Sequence, residues 1–281
     1  MTIRILTDST ADIPADEAQA HGITIVPLTV FFGEEAYRDG VDLDNAGFYR
    51  KLQASKDLPR TSQPSPAQFQ EQYQRLLEDG AEGILSIHLS SKLSGTYQSA
   101  CTARDMLAEA GNTIPIEVLD TLSISVGMSR AILRAADAAR EGRSMQELKA
   151  LVADELARTR ILAVLDTLEF LKRGGRIGNA QALLGNMLSV KPIVSLRDGE
   201  VVRVEQPRTR SKAYARIAQL VGEMGKIEHI SIAEASEDVG QQLAEAIRSV
   251  YSGELTFYKL GAVLGTHTGP GTAAVAAVIA L

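Results

Sequence analysis

The stretch GILSIHLSSKLSGTYQSA, residues 83–100, passes from the apolar run GILSIHL through a hydroxyl-rich loop into a helical pattern. A strand-length apolar run followed by a turn and a helix is the repeating unit of an α/β fold. Its loop lies at the carboxyl end of the strand, where ligands of open α/β sheets collect. LSSKLSGTYQSA, residues 89–100, carries six hydroxyls, one lysine and one glycine. Serines at such a turn are a familiar setting for a nucleophile, yet the Gly-x-Ser-x-Gly elbow is missing. These hydroxyls therefore either attack a ligand or hold one.

Working outward, residues 3–6, 23–32, 84–89 and 116–119 read as strands, with helical patterns between several of them, which predicts a largely parallel sheet. Ser65 before Pro66 marks a helix start that leads into Phe69, Tyr73, Leu76 and Leu77 and stops at Gly80. Ser144 with Glu147 forms a capping box before Leu148, Leu151 and Val152. Beyond ILAVLDTLEFL, starting at Ile161, the dipeptide Asp198-Gly199 separates KPIVSLR from EVVRVEQ and predicts a hairpin, hence a mixed sheet. Further strands are expected at 227–233, 255–259 and 273–281, with helices from about Ser211 and Asp238. The expected fold class is α/β in two domains. Residues 1–160 hold a mostly parallel sheet with flanking helices, and residues 161–281 hold a mixed sheet with helices.

The chain has 281 residues, 45% of them hydrophobic and 23% charged, with a net charge of -6, which fits a globular protein and disfavours nucleic acid as a partner. No signal-peptide pattern opens it and no apolar stretch reaches membrane-spanning length, so the expectation is a cytoplasmic protein with no membrane span and at most transient membrane contact. Its single cysteine, Cys101, lies at helical spacing from Tyr97 and reads as a packing thiol. Residues 170–215 carry nine Lys or Arg against three acids, a local surplus of positive charge suited to an anion or an acidic surface as well as to a solvated face.

Common catalytic machinery is missing. There is no phosphate-binding Gly-x-x-x-x-Gly-Lys-Ser/Thr loop, no Gly-x-Gly-x-x-Gly and no His-Glu-x-x-His, and the four histidines, at 21, 88, 229 and 267, have no metal-ligand spacing. Four polar segments remain. TDSTADIP places Asp8, Ser9, Thr10 and Asp12 after the first strand, where capping a helix from Pro14 or building the turn accounts for them. RTSQPSP, residues 60–66, sets Thr61 and Ser62 in a loop beside the Ser65 cap. LKRGGRIG, residues 171–178, ends a helix with Gly174 as its left-handed cap, and offers Arg173 or Arg176 to an anion. GTHTGPG, residues 265–271, sets His267 between Thr266 and Thr268 in a glycine-rich loop, a more suggestive setting than that of His88 on its apolar strand.

In this order, TDSTADIP, TSQPSP, SSKLSGTYQSA, LDT with a downstream glycine, LKRGGRI, KPI and GTHTGPG resemble the DegV family of bacterial fatty acid-binding proteins over essentially the whole chain. The resemblance implies two α/β domains with an acyl chain buried between them, segment 60–66 contributing to the site. It implies that Thr61, Ser62 and Ser94 hold the fatty-acid carboxylate, that Gly95 lets the backbone approach, and that His267 with Thr268 sits beside the head group. Arg173 is linked by the resemblance to phosphoryl transfer or partner contact. The implied role is a non-catalytic carrier with no cofactor and no metal. It would hold a long-chain acid such as palmitate and present it to a separate ATP-dependent, dihydroxyacetone kinase-like subunit for acyl phosphate formation.

Physical chemistry accommodates that role. Burying a long tail stabilises the complex by on the order of 10 kcal/mol at ~0.8 kcal/mol per CH₂, while an unpaired buried carboxylate opposes it. Hydroxyls from Thr61 and Ser94, with His267 as a further donor, can satisfy the anion. Two other readings compete: a serine acyl hydrolase using Ser94 and His267, and a lipid-sensing regulatory module that uses the same pocket.

Overall fold

The computed structural model describes residues 2–178 and 190–281. The first half runs β1 (Ile3–Asp8), a 3-10 turn (Ser9–Ala11), α1 (Ala15–His21), β2 (Ile23–Val26), β3 (Thr29–Phe32), β4 (Glu35–Arg38), α2 (Asn45–Ala54), β5 (Arg60–Ser62), α3 (Pro66–Glu78), β6 (Gly83–His88), α4 (Thr96–Glu109), β7 (Ile116–Asp120), α5 (Val126–Arg140) and α6 (Met145–Arg158). The second half adds β8 (Thr159–Val164), α7 (Glu169–Arg173), β9 (Ile193–Arg197), β10 (Glu200–Glu205), α8 (Arg210–Gly222), β11 (Ile227–Glu234), α9 (Glu237–Ile247), β12 (Leu255–Lys259), α10 (Ala262–Thr268) and β13 (Ala273–Ile279).

Strands β2-β1-β6-β7 form a parallel sheet in that order. One face packs Ile5, Leu85 and Ile87 against Met128, Ile132 and Leu148, and the other packs Leu6 and Ile84 against Phe69, Tyr73 and Ala103. Burial on both faces explains why β6 reads as an uninterrupted run in the sequence. The capping boxes at Ser65/Gln68 and Ser144/Glu147 are both formed.

The second sheet has the order β10-β9-β8-β13-β11-β12, antiparallel except for the parallel pair β11 and β12. Asp198 and Gly199 both take positive φ, 51° and 83°, and join β9 to β10 as a tight two-residue turn, as the dipeptide predicts. Helices α8 and α9 cover one face of this sheet through Ile217, Val221, Val239 and Leu243. The opposite face looks toward the first half of the chain.

Three expectations are corrected. Residues 23–32 form two strands, because the run breaks at Pro27 and Leu28: Pro27 has no N–H for a ladder, and Leu28 N–H donates to Ser9 Oγ at 3.1 Å. β3 then enters a small antiparallel sheet, β4-β3-β5, in which Val30 pairs with Thr61, so Thr61 and Ser62 lie on a strand and not in a loop. GTHTGPG begins as the last turns of α10, with the break at Gly269, φ 84°.

Two polar seams join the halves. At one, Asp12 Oδ1 accepts the Gly261 N–H and Asp39 Oδ1 accepts the Ala262 N–H, each at 2.9 Å, while Asn45 Nδ2 donates to the Leu260 carbonyl at 2.8 Å. Asp12 thus seats α10 and does not cap α1, and Asp8 caps the 3-10 turn. At the other, the fully buried Glu155 is held by Arg130, Arg134 and Arg158, and Arg130 and Arg158 also reach Glu228 on β11.

Removing Glu155 takes the buried carboxylate from three partly exposed arginines, of which Arg130 and Arg158 keep Glu228. Glu155→Ala is expected to lower the unfolding free energy by about 1–3 kcal/mol, less than for a fully buried pair because the arginines keep solvent and Glu228, read as a drop in the urea midpoint; an unchanged midpoint would show the seam to be energetically idle.

Candidate functional site

The face of the mixed sheet that α8 and α9 leave uncovered meets the loops at the carboxyl ends of β6 and β7, and the space between them is a cavity of ≈ 310 Å³. This lies at the lower end of small-molecule pockets. Its walls come from alternate sheet positions Ile161, Ala163, Val194 and Leu196, from Leu89, Leu93 and Ile124 of the loops, and from Leu260, Val263 and Leu264 around α10. At one end stand Thr61, Ser62, Gln63, Ser94, Arg176, His267 and Thr268.

Several lining hydroxyls are already spent on the protein. Ser125 donates to Asp12, Ser195 to the Ile161 carbonyl at 2.7 Å, Thr272 to the Thr268 carbonyl and Thr268 to the Leu264 carbonyl, both at 2.9 Å. The walls therefore present themselves as apolar despite these residues, and Thr268 keeps only acceptor capacity. Thr61, Ser62 and Ser94 differ. Thr61 Oγ1 lies 2.8 Å from His267 Nε2, Ser94 Oγ lies 2.9 Å from Thr96 Oγ1, and the Ser62 hydroxyl has no partner among the described residues.

Burial, with the nearby Arg176 charge second, pushes His267 down to about 4, so its imidazole is neutral near pH 7. Its Nδ1 is buried without a partner. A lone pair left unpaired costs less than an N–H left unpaired, which assigns the proton to Nε2, donating to Thr61. The Thr61 hydroxyl is then free to donate into the cavity. Gly174 makes this ring position available, since a Cβ there would lie 2.2 Å from Nδ1. The left-handed position belongs instead to Gly175, φ 68°, while Gly174 has φ −72°, so the two glycines serve different needs and Gly174 is not the left-handed cap.

The cavity thus brings together Thr61, Ser62, Ser94, His267 and Thr268. Gly95 stands behind them and leaves room for the Gln63 amide, 2.5 Å from where its Cβ would be. Arg173 lies elsewhere. It is exposed, pairs with Glu169 at 2.6 Å, and lines an outer polar pocket of ≈ 430 Å³ with Arg60. Thr61, Arg176 and His267 line both spaces and so form the partition between them. Arg176 braces it, donating to the Leu93 carbonyl at 3.1 Å and to the Gly174 carbonyl at 2.6 Å. Gln63 lies inside TSQPSP, where nothing local sets it apart from its neighbours, whereas of the two arginines that LKRGGRIG offers to an anion it is Arg176 that lines the cavity.

Two alternatives are tested by geometry. Ser94 is not hydrogen-bonded to His267, whose Nε2 is engaged by Thr61. Ser86, His88 and Asp8 do connect as a serine–histidine–aspartate chain, at 2.7 and 2.9 Å, but all three are fully buried and none lines the cavity. Among the described residues no group of three or more His, Cys, Asp or Glu could hold a metal, and no helix is long and apolar enough to cross a membrane.

A family model described as "Uncharacterised protein, DegV family" matches residues 2–280. A DegV domain-containing protein of Streptomyces coelicolor is 38% identical over 274 residues, covering 96% of this chain and 95% of that one. A DegV family protein from Thermus thermophilus, described for its fatty acid binding, superposes with a TM-score of 0.90 at 34% identity, covering both chains completely. A stearic acid-binding protein from Eubacterium ventriosum superposes with a TM-score of 0.91 at 26% identity, covering 99% of this chain and 98% of that one.

Gly174→Ala is expected to push the imidazole off Thr61 and to cost about 1–3 kcal/mol through overpacking, read in urea melts. The His267 proton equilibrium gives a second expectation. Its folded pKa, about 4, lies below the unfolded value of about 6.5, so the unfolded chain binds the proton more readily between these limits. Stability is fully present above pH 6.5 and falls as pH drops toward 4, by up to about 3 kcal/mol. The stability difference between the protein and its His267→Gln variant should shrink over that window, and a pH-independent difference would contradict the assignment.

Proposed function

Because the chain belongs to the DegV family, we propose that it binds a long-chain fatty acid in this cavity and presents the carboxylate to a separate ATP-dependent, dihydroxyacetone kinase-like subunit for acyl phosphate formation. The observation that carries the reading is the division of the cavity: apolar walls whose hydroxyls are internally satisfied, and one end where Thr61, Ser62 and Ser94 keep hydrogen-bonding capacity. The fatty acid binding of the relatives from Thermus thermophilus and Eubacterium ventriosum supports it.

The mechanism follows from the head-group chemistry. A neutral His267 donates to Thr61, which polarises the Thr61 hydroxyl toward the carboxylate, and donor chains of this kind strengthen cooperatively. Ser94 supplies a second hydroxyl, beside the start of α4. Gly95 gives that helix no side-chain cap, so the positive end of its dipole favours an anion there. In this reading His267 acts through Thr61 and is not a third direct donor. The carboxylate then sits at a partition one side chain thick, with Arg173 and Arg60 in the polar pocket beyond it. We assign the approaching phosphoryl group, or the partner that carries it, to that outer side, with Arg173 as its contact. The division into domains 1–160 and 161–281 belongs to the same proposal. It is supported by sheet membership, since the parallel sheet uses strands from residues 3–120 and the mixed sheet strands from residues 159–279.

Mass spectrometry of an organic extract from undenatured protein is expected to recover about one long-chain acid per chain. An empty extract, with no uptake of added acid, would sink the reading. Ser94→Ala is expected to weaken retention by about 1 kcal/mol, and a stoichiometric Ser94-dependent fluorophosphonate adduct would favour the hydrolase instead. Arg173→Ala is expected to keep lipid binding while losing acyl phosphate formation by the kinase; equal loss of both would place Arg173 in head-group binding.

A further inference from the structure

Asp166 of LDT, Lys191 of KPI and Gly271 at the end of GTHTGPG come from three separate motifs, and the fold brings them together with Arg210 at the start of α8. Asp166 Oδ1 accepts Lys191 Nζ at 2.6 Å and Arg210 Nη2 at 2.5 Å. Asp166 Oδ2 lies against Gly271, where a Cβ would come within 2.0 Å of it and within 2.8 Å of Arg210. Gly271 does not take a positive φ, so its missing side chain gives space to the carboxylate and is not required by the backbone.

The place of this cluster in the chain gives it reach. Asp166 stands three residues before α7 begins, and Gly271 stands three residues after α10 ends. The two helices meet beside the head group: Gly174, closing α7, leaves the space that the His267 ring fills, and the Phe170 ring lies 2.6 Å from where a Cβ of Gly269 would be. Both helices are too short to hold their places by their own backbone bonds. The three charged side chains are partly exposed, so as ion pairs they contribute little to stability. What they supply is a fixed separation between the start of α7 and the end of α10. Burial works against the charge on Asp166, but Lys191 and Arg210 hold its carboxyl below the usual range, so the grip is in place near pH 7.

We propose that Asp166 is a positioning residue for the head group: gripped by Lys191 and Arg210 and seated against Gly271, it sets the approach of α7 to α10, and with it the placing of the His267 ring that orients Thr61. The effect on affinity rests on the lipid-binding reading, whereas the effect on the ring needs no ligand. Asp12 and Asp39 seat the first turn of α10, while His267 stands in its last turn. A hydrogen bond weakens steeply with misalignment, so the relay from His267 through Thr61 is only as good as the contacts that hold that last turn.

The test substitutes Asp166→Asn, which keeps the shape and removes the charge that grips both cations. In ligand-free protein the NMR signals of the His267 ring are expected to move, and its titration midpoint to rise from about 4 toward about 6.5 as water reaches the ring. Affinity for fluorescently labelled palmitate is expected to fall by about fivefold, the worth of one hydrogen bond. In a Thr61→Val background, which has already lost the hydroxyl through which His267 acts, the same substitution is expected to cost less than about twofold. Losses of equal size in the two backgrounds, or no loss in either, overturn the assignment, as do unmoved His267 signals. Arg210→Gln leaves Lys191 on Asp166 and is expected to move the same ring signals in the same direction, so the assignment stays falsifiable where Asp166→Asn does not fold. Failure of the unmodified protein to take up the labelled acid overturns the lipid reading by itself, while the ring signals still decide the role of Asp166, so the two failures are distinguishable.

Discussion

The site depends on the seating of α10. This seven-residue helix carries Val263, Leu264, His267 and Thr268 into the cavity, and it is too short to hold its place by its own backbone bonds. Two buried carboxylates, Asp12 and Asp39, accept the N–H groups at its start, and both belong to the first half of the chain. The arrangement is costly. Burial pushes Asp39 up to about 6 and holds Asp12 well above the usual carboxylate range; the Asp8 charge adds to the rise at both, and Asp39 adds to it at Asp12. What offsets the cost is the positive end of the helix and the bonds the carboxylates accept. In exchange the helix that delivers His267 is referenced to the same half of the protein that delivers Thr61 and Ser94. The head-group geometry thereby becomes a property of one rigid seam.

A fatty acid, the ligand proposed above, poses opposite demands at its two ends, and on that reading the cavity answers them by different means. Along the tail the requirement is the absence of competing donors, achieved by turning the hydroxyls of Ser125, Ser195 and Thr272 onto protein acceptors. At the head the requirement is donors already aimed, achieved by letting neutral His267 orient Thr61. A charged imidazole would pair with the carboxylate more strongly, but it would also tie down the oxygen that a phosphoryl donor must reach. On the proposed reading, a relay through a hydroxyl would hold the anion while leaving it reactive.

Much of the fold was legible because its signals are local. The buried run of β6, the capping boxes and the Asp198-Gly199 turn each depend on neighbours in sequence, and each formed as read. The break of residues 23–32 at Pro27 was a local signal, but the other misreadings share one cause. Thr61 looks like loop until Val30 supplies its strand partner, and GTHTGPG looks like loop until Asp12 and Asp39 supply the acceptors that start its helix. Gly174 looks like a left-handed cap until His267 occupies the space its side chain would need. In every instance the deciding group lies far away in the chain. The polar head of the site was nevertheless visible, since hydroxyls and a histidine are conspicuous among aliphatic residues, whereas wall positions such as Ile161 and Leu196 are ordinary strand residues that only tertiary packing sets apart.

Connectivity alone does not identify chemistry, and this protein contains the demonstration. Ser86, His88 and Asp8 reproduce the hydrogen-bond order of a hydrolytic triad, extended by Tyr73, whose hydroxyl donates to Ser86 at 2.8 Å. Yet Asp8 also accepts the Leu89 N–H at 3.2 Å, so the chain pins the end of β6 and the start of the loop that carries Ser94. Sealed from solvent and from the cavity, Ser86 meets no carbonyl to attack. Thr61 and His267 form a shorter chain with no acid behind it, but it opens onto the cavity. Access decides between them: the sealed network positions the loop, and only the open pair is placed to meet a ligand in the cavity.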